Sequence, residues 1–260
     1  MTVEQDQRRQ REGNVWVYGV VAANATLAEL ERRGDRLPEV WIVEAGDLGA
    51  IAGPAPAEDE KGTRDQALAH ARVLEAAIVD APVIPFRFGV VVPEAQDVGE
   101  DVLLAHHDEF AQLLERAQGR VQMTLKAYYD EDALLREIVE REPEIARLRD
   151  ELRDVPEDEA RDARVRLGEL VSRAVEQARE RDAAGILEQL RPVAVAAATD
   201  PLERDYMVLN APLLVERERR EEFEDAVEQL ARERGERMRF RLLGPMPAYS
   251  FLEGEDPRWG

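Results

Sequence analysis

Cysteine is missing altogether from this 260-residue chain, which excludes disulfides, thiolate-ligated zinc and thiol chemistry. Lysine is nearly missing as well. Lys61 and Lys126 are the only two, leaving 33 of the 35 basic residues as arginine; that skew fits a GC-rich genome better than a chemical demand. Basic residues as a class are outnumbered by 56 acidic ones, for a net charge of −21. Nucleic acid and anionic membranes are poor partners for such a surface, because both need cationic side chains to displace counterions. Aromatics make up only 5%, which disfavours an all-β architecture. No apolar run approaches the length of about 18 residues that a membrane-spanning helix needs. Recognisable catalytic signatures are also absent: no Gly-x-Ser-x-Gly elbow, phosphate-cradling glycine loop, His-Glu-x-x-His or Cys-x-x-Cys occurs.

What remains is a chain with 44% hydrophobic and 35% charged residues and a mean hydropathy of −0.46. This is the composition of charged amphipathic helices packed on sheet, long enough for one large domain or two modest ones. Residues 1–13 are charged and glutamine-rich with no apolar signal core, so a disordered leader and a cytoplasmic location are expected.

Along the chain, Val15–Val21 is apolar on both faces, as in a central strand covered on both sides. A short helix follows at Thr26–Arg33, with Thr26 as its cap, then strands at Val40–Val43 and Leu48–Ala52. Thr63 caps a helix running to Asp80, Val83–Val92 reads as one strand, and a single helix is expected from Asp97 to Gln118. The order β-α-β-β-α-β predicts a ferredoxin-like N-terminal domain over 14–118, with its helices on one side of an antiparallel sheet. A second, α+β domain is expected over 119–260. It opens with the alternating strand Val121–Tyr129 and continues as a helical hairpin over 131–189, with Pro143 kinking or restarting its first arm. Strands at Arg204–Val215 and Met238–Leu243 flank a helix at Arg217–Arg234. The fold class is thus α+β in two domains.

In the closing strand, Met238, Phe240 and Leu242 share one face, and Arg237, Arg239 and Arg241 the other. It runs into Gly244-Pro245-Met246-Pro247-Ala248-Tyr249-Ser250-Phe251, where two prolines should stop it. The arginine face could hold an anion, but solvation or pairing with glutamates is the simpler reading. The three histidines offer no metal site: His106 and His107 are neighbours on a helix and point about 100° apart, and His70 has no ligand-spaced Cys or His. No catalytic residue, metal ligand or cofactor site is therefore expected.

Two segments, Pro85-Phe86-Arg87-Phe88-Gly89 and Leu243–Phe251, resemble those of a known family, GvpL/GvpF of gas vesicle proteins. Pro85-Phe86-Arg87-Phe88-Gly89 resembles its Pro-x-Arg-Phe-Gly strand, and Leu243–Phe251 its C-terminal Gly-Pro-x-Pro-Pro-Tyr-Ser-Phe signature, with Met246 and Ala248 as departures. Trp16-Val17-Tyr18-Gly19, the helix bearing His70, and Leu209–Val215 match more weakly and in the right order. The tail and the charged Pro143–Leu152 stretch lean towards GvpF. The resemblance implies a non-enzymatic accessory protein of gas vesicle assembly, without cofactors. Its implied partners are the hydrophobic shell protein GvpA and other accessory Gvp proteins, and its implied place is the cytoplasm or the gas-facing vesicle surface. Because Pro212 marks Leu209–Val215 as an edge or bulged strand, Leu209, Leu213 and Val215 are candidate contacts, together with Pro245, Pro247, Tyr249 and Phe251 of the tail. The helical hairpin is the alternative contact. A reading from another class is a ligand-binding regulatory module built on paired ferredoxin-like domains.

Overall fold

The computed structural model describes residues 13–56, 62–156 and 159–252; residues 1–12 of the expected leader lie outside these. The chain divides into two compact units. One runs to Gln122 and takes in the chain from Gly244 onward, and the other spans Met123–Leu243. The tail, expected in the second domain, packs with the first.

In the first unit, β1 (Val15–Ala22), β2 (Trp41–Ala45), β3 (Leu48–Pro54) and the short β4 (Ile84–Pro85) line up in the order β2-β3-β1-β4, with β5 (Val91–Val92) also pairing with β1. Helix α1 (Ala28–Arg33) joins β1 to β2 and α2 (Arg64–Asp80) joins β3 to β4. A central β1-β3 pair flanked by β4 and β2 is the split β-α-β arrangement that the element order predicts. β1 is buried from Val15 to Val21. It pairs antiparallel with β3, with a register shift between Val17 and Gly19. Gly19 is required there: a Cβ would lie 2.7 Å from the Ile84 carbonyl oxygen and 2.9 Å from Val83 Cγ1.

Three local expectations change. Val83–Val92 is not one strand. Ile84–Pro85 pairs with Gly19 and Val20, and Val91–Val92 with Val15 and Trp16. The chain between them loops out through Gly89 at φ +94°, where a left-handed backbone suits glycine. Nor is 97–118 one helix. It begins at Ala95–Asp97, widens into a π-helical stretch at Val98–Leu104 and restarts as α3 (His107–Ala117), so His106 sits at a helix start and not in a continuous seam. Thr26 does not cap α1, whose first-turn Glu29 N–H instead donates to Asp80 Oδ2 at the end of α2 at 2.6 Å; Thr63 does cap α2, in a reciprocal capping box with Gln66.

The helices also lie on both faces of the sheet, not on one. α2 buries Val73, Leu74 and Ile78 against Trp16, Tyr18 and Ile51, whereas Gly99 of the π-helical stretch approaches Ala45 and Val43. Ile42, the strand neighbour of Val43, packs with the α2 cluster. Since neighbouring strand residues face opposite ways, both faces are covered, which is why β1 needs no polar side.

In the second unit, β6 (Arg120–Tyr129), β7 (Ala196–Ala197), β8 (Met207–Glu216) and β9 (Met238–Met246) form a sheet in the order β7-β8-β6-β9. Its helices are α4 (Glu131–Arg141), α5 (Pro143–Leu152), α6 (Arg161–Leu190) and α7 (Arg220–Arg234). Pro143 opens α5 at the first-turn position, where its missing N–H costs nothing, and α5 packs along α6 as the expected hairpin. Met123, Leu125 and Ala127 of β6 share one core with Leu134, Ile138, Ile186, Leu190, Phe223 and Leu230.

β8 starts at Met207, after a turn with Tyr206 at φ +61°. It is not a free edge. β7, which no sequence pattern announces, lies beside it, and Val195, Ala198 and Asp200 donate their N–H groups to the Leu214, Pro212 and Asn210 carbonyls at 2.7, 2.9 and 2.8 Å. β9 continues past Leu243 through a cis Gly244–Pro245 bond to Met246. An end strand tolerates proline because one side of its backbone has no ladder to lose.

Candidate docking surface at the terminal clasp

The tail leaves β9 and turns back as a single 3₁₀ turn, Tyr249–Phe251, closed by Phe251 N–H donating to the Ala248 carbonyl at 3.0 Å. One buried amide pins it. Gln122, 4% exposed, accepts from Ser250 N–H at 2.9 Å through Oε1 and donates through Nε2 to Met246 Sδ at 3.7 Å. Arg116 reaches the Leu252 carbonyl at 3.5 Å, and Ala248 and Leu252 are buried. Gly244, at φ +123°, makes the redirection that a side chain would oppose.

The seven expected contact residues part company here. Leu209, Leu213 and Val215 lie in the core of the second unit, at most 2% exposed; with β7 on its edge, β8 is an interior strand, so these side chains offer no surface. Pro247 is buried, Pro245 and Phe251 are half-buried, and Tyr249 is 39% exposed. Desolvation of the Tyr249 phenol, helped by the nearby Glu75 carboxylate, pushes its pKa up to about 12, so it is neutral at ordinary pH. The accessible part of the site is therefore Pro245, Tyr249 and Phe251.

The arginine face also divides. Arg239 and Arg241 are exposed. Arg237 instead pairs with Glu137 and with Asp182 at 2.8 Å, and its guanidinium lies 5.3 Å from the Tyr129 ring centroid. Tyr129 donates its hydroxyl to Asp182 at 2.5 Å, and burial followed by that carboxylate raises the phenol's pKa far above its ordinary value. Arg237 is thus occupied by the protein's own carboxylates.

A residue whose role sequence reasoning missed is His70. It is 4% exposed. Trp16 Nε1–H donates to its Nδ1 at 3.2 Å, which leaves Nε2 to carry the proton and donate to the Phe86 carbonyl at 3.1 Å. Tyr18 stacks on the imidazole at 5.1 Å, and Phe88 meets it edge-on at 5.9 Å. Three of the matched segments (the opening aromatic strand, the histidine helix and the Pro-x-Arg-Phe-Gly segment) therefore meet around one neutral imidazole. Trp16 at two-residue spacing from Tyr18 was the available signal, but nothing in one dimension pairs it with position 70. His107, by contrast, lies at the surface against Asp47 at 2.5 Å and Asp108, and those hydrogen bonds raise its pKa. Among the described residues no group of three or more His, Asp or Glu side chains is placed to hold a metal.

The profile of the family described as "Gas vesicle synthesis protein GvpL/GvpF" matches residues 14–253. The chain belongs to the GvpL/GvpF family. It is 31% identical over 246 residues to gas vesicle protein F of Streptomyces sp. (strain CB03234), covering 92% of this chain and 100% of that protein. Gas vesicle protein L of the same strain is 30% identical over 228 residues, covering 85% of this chain and 82% of that one. The fold matches the crystal structure of GvpF from Anabaena sp. PCC7120 with a TM-score of 0.77 at 20% identity, over 94% of this chain and 100% of that one. Membership ties the chain to gas vesicles, in a family of gas vesicle synthesis proteins. No described helix is long and apolar enough to cross a membrane.

Proposed function

We propose that this GvpL/GvpF-family chain is a non-enzymatic assembly partner of the gas vesicle shell. It works in the cytoplasm, binds the hydrophobic shell protein GvpA and other accessory Gvp proteins during nucleation, and can remain at the gas-facing surface. The observation that carries the reading is the clasp: Tyr249, 39% exposed, and half-buried Phe251 are presented on a backbone held by Gln122 and Arg116. Aromatic anchors on an ordered backbone bind with little entropy left to lose. A very apolar, β-rich shell protein has strand edges that aggregate unless a partner shields them. The acidic surface keeps such a complex in solution.

The test is co-purification of GvpA with the wild-type chain and with the Tyr249→Ser/Phe251→Ser double variant. Removing residues 243–251 is the coarser alternative, because Ala248 within them is buried. Wild type is expected to retain GvpA, and the double variant at least about tenfold less, the loss of one or two aromatic anchors. Failure of the wild type to retain GvpA sinks the reading. Undiminished retention by the variant removes the clasp and leaves the α5–α6 hairpin as the contact.

A further inference from the structure

Four arginines converge on one cleft of the first unit. Arg32 and Arg33 come from α1, Arg36 from the 3₁₀ turn Gly34–Arg36 behind it, and Arg72 from α2; with Glu29, Leu37 and Glu75 they line a cavity of about 720 Å³. The packing of α1 against α2 brings them together. In a chain of net charge −21, this is an island of opposite sign.

Its carboxylates do not neutralise it. Glu29 holds Arg32 Nη1 and Arg33 Nε, both at 2.6 Å, through its two separate oxygens. Its carboxyl lies below the ordinary range, chiefly through the Arg33 hydrogen bond, and it is fully engaged. Glu75 in the lining and Asp80, which accepts the Glu29 N–H at 2.6 Å, supply two further negative charges against the four arginines. Arg36 and Arg72 are exposed and make no ion pair among the described residues. Each guanidinium carries five N–H donors, so Arg36 and Arg72 bring the cleft donors beyond those that Glu29 holds.

We propose that the cleft binds an acidic segment of a partner protein, with at least two carboxylates flanking an apolar residue. Guanidinium forks match carboxylates two bonds at a time, and two forks that make no ion pair among the described residues ask for two anionic groups. The cleft is far larger than one phosphate, and half-buried Leu37 in its wall offers an apolar contact that a free oxyanion would not use. At physiological salt the rest of the chain's negative field is screened beyond about 8 Å, so recognition is decided locally. This contact is independent of the shell-protein reading, which rests on an apolar surface; either can fail without the other.

The experiment titrates the full-length chain into a fluorescein-labelled hexapeptide of glutamates around a central leucine, read by fluorescence anisotropy. Arg36→Glu/Arg72→Glu is compared with Arg239→Glu/Arg241→Glu, which makes the same change of charge at exposed strand positions. Thermal melting checks that both fold, and Arg72→Gln serves as the milder variant if the first does not. The cleft variant is expected to bind at least about tenfold more weakly, Arg72→Gln about threefold, and the strand variant within about twofold of wild type. Unlabelled peptide should displace the probe where inorganic phosphate at the same concentration does not. No binding by wild type overturns the proposal, as does equal weakening in both double variants, which would mean a general field. Equal displacement by phosphate overturns it in favour of a small-anion site.

Discussion

Replacing His70 tests the most specific statement about the interior of this protein. Its imidazole accepts from Trp16 and donates to the Phe86 carbonyl, and all three residues are at most 4% exposed. His70→Leu leaves one donor and one acceptor buried without partners, a cost of about 2–6 kcal/mol at about 1–3 for each orphaned group. His70→Gln keeps an acceptor and a donor on a side chain that suits a helix, and should cost about 1 kcal/mol or less.

The neutral ring also makes stability depend on pH. Burial lowers the folded-state pKa of His70, against a smaller opposing effect of the Phe86 carbonyl, so in acid the unfolded chain binds a proton that the folded one refuses. The stability is present above the unfolded pKa of about 6.5 and is lost as pH falls below it. The loss from about pH 7.5 to about pH 5.5 is at most about 1.4 kcal/mol from this group. Urea unfolding followed by tryptophan fluorescence reads the right region, because Trp16 and Trp41 both lie in the first unit. The difference between wild type and His70→Gln isolates the effect, since His107 and the carboxylates titrate alike in both. Identical pH dependence in the two proteins, or a His70→Leu cost below about 1 kcal/mol, would refute the assigned tautomer and its role.

Other outcomes follow from the same geometry. Gly19→Ala drives a methyl into the Ile84 carbonyl and Val83 and should destabilise the first unit by about 1–3 kcal/mol by thermal melting; an unchanged melting temperature would mean that the strands part freely there. Gln122→Leu leaves Ser250 N–H without its acceptor, and hydrogen exchange at Ser250 should quicken by at least about fivefold, matching an opening easier by about 1–3 kcal/mol. Asp182→Asn takes the charge from a carboxylate shared by Tyr129 and Arg237. It should cost the second unit about 1–3 kcal/mol in urea titration, more than Tyr129→Phe, which removes one hydroxyl.

Much of this was legible in one dimension because periodicity reports which faces are buried. Val15–Val21, apolar throughout, is covered on both faces; Met123, Leu125 and Ala127 point into one core; Thr63 caps its helix. The terminal Gly-Pro-x-Pro run resembled a family to which the chain does belong. The errors share a cause. β7 is two alanines with no alternation to detect, yet it covers β8 and takes Leu209, Leu213 and Val215 out of reach. The prolines after Leu243 suggest a stop, but β9 is an end strand, where one side of the backbone has no ladder for Pro245 to break.

What the sequence alone determined is composition, element order and family. It excluded thiol and disulfide chemistry, set the β-α-β-β-α-β order of the first unit, and carried the terminal signature, all of which depend on residue identity and local spacing. Only the tertiary structure decided which of those residues face solvent and which meet. Positions 16, 70 and 86 close around one imidazole, and 122 and 250 share one amide. Four arginines from 32 to 72 line one cleft, whereas Arg237 turns from its strand neighbours to Asp182 and Glu137. A hydrogen bond or ion pair depends on distance in space, and separations of 54 or 128 residues are closed only by the path of the folded chain.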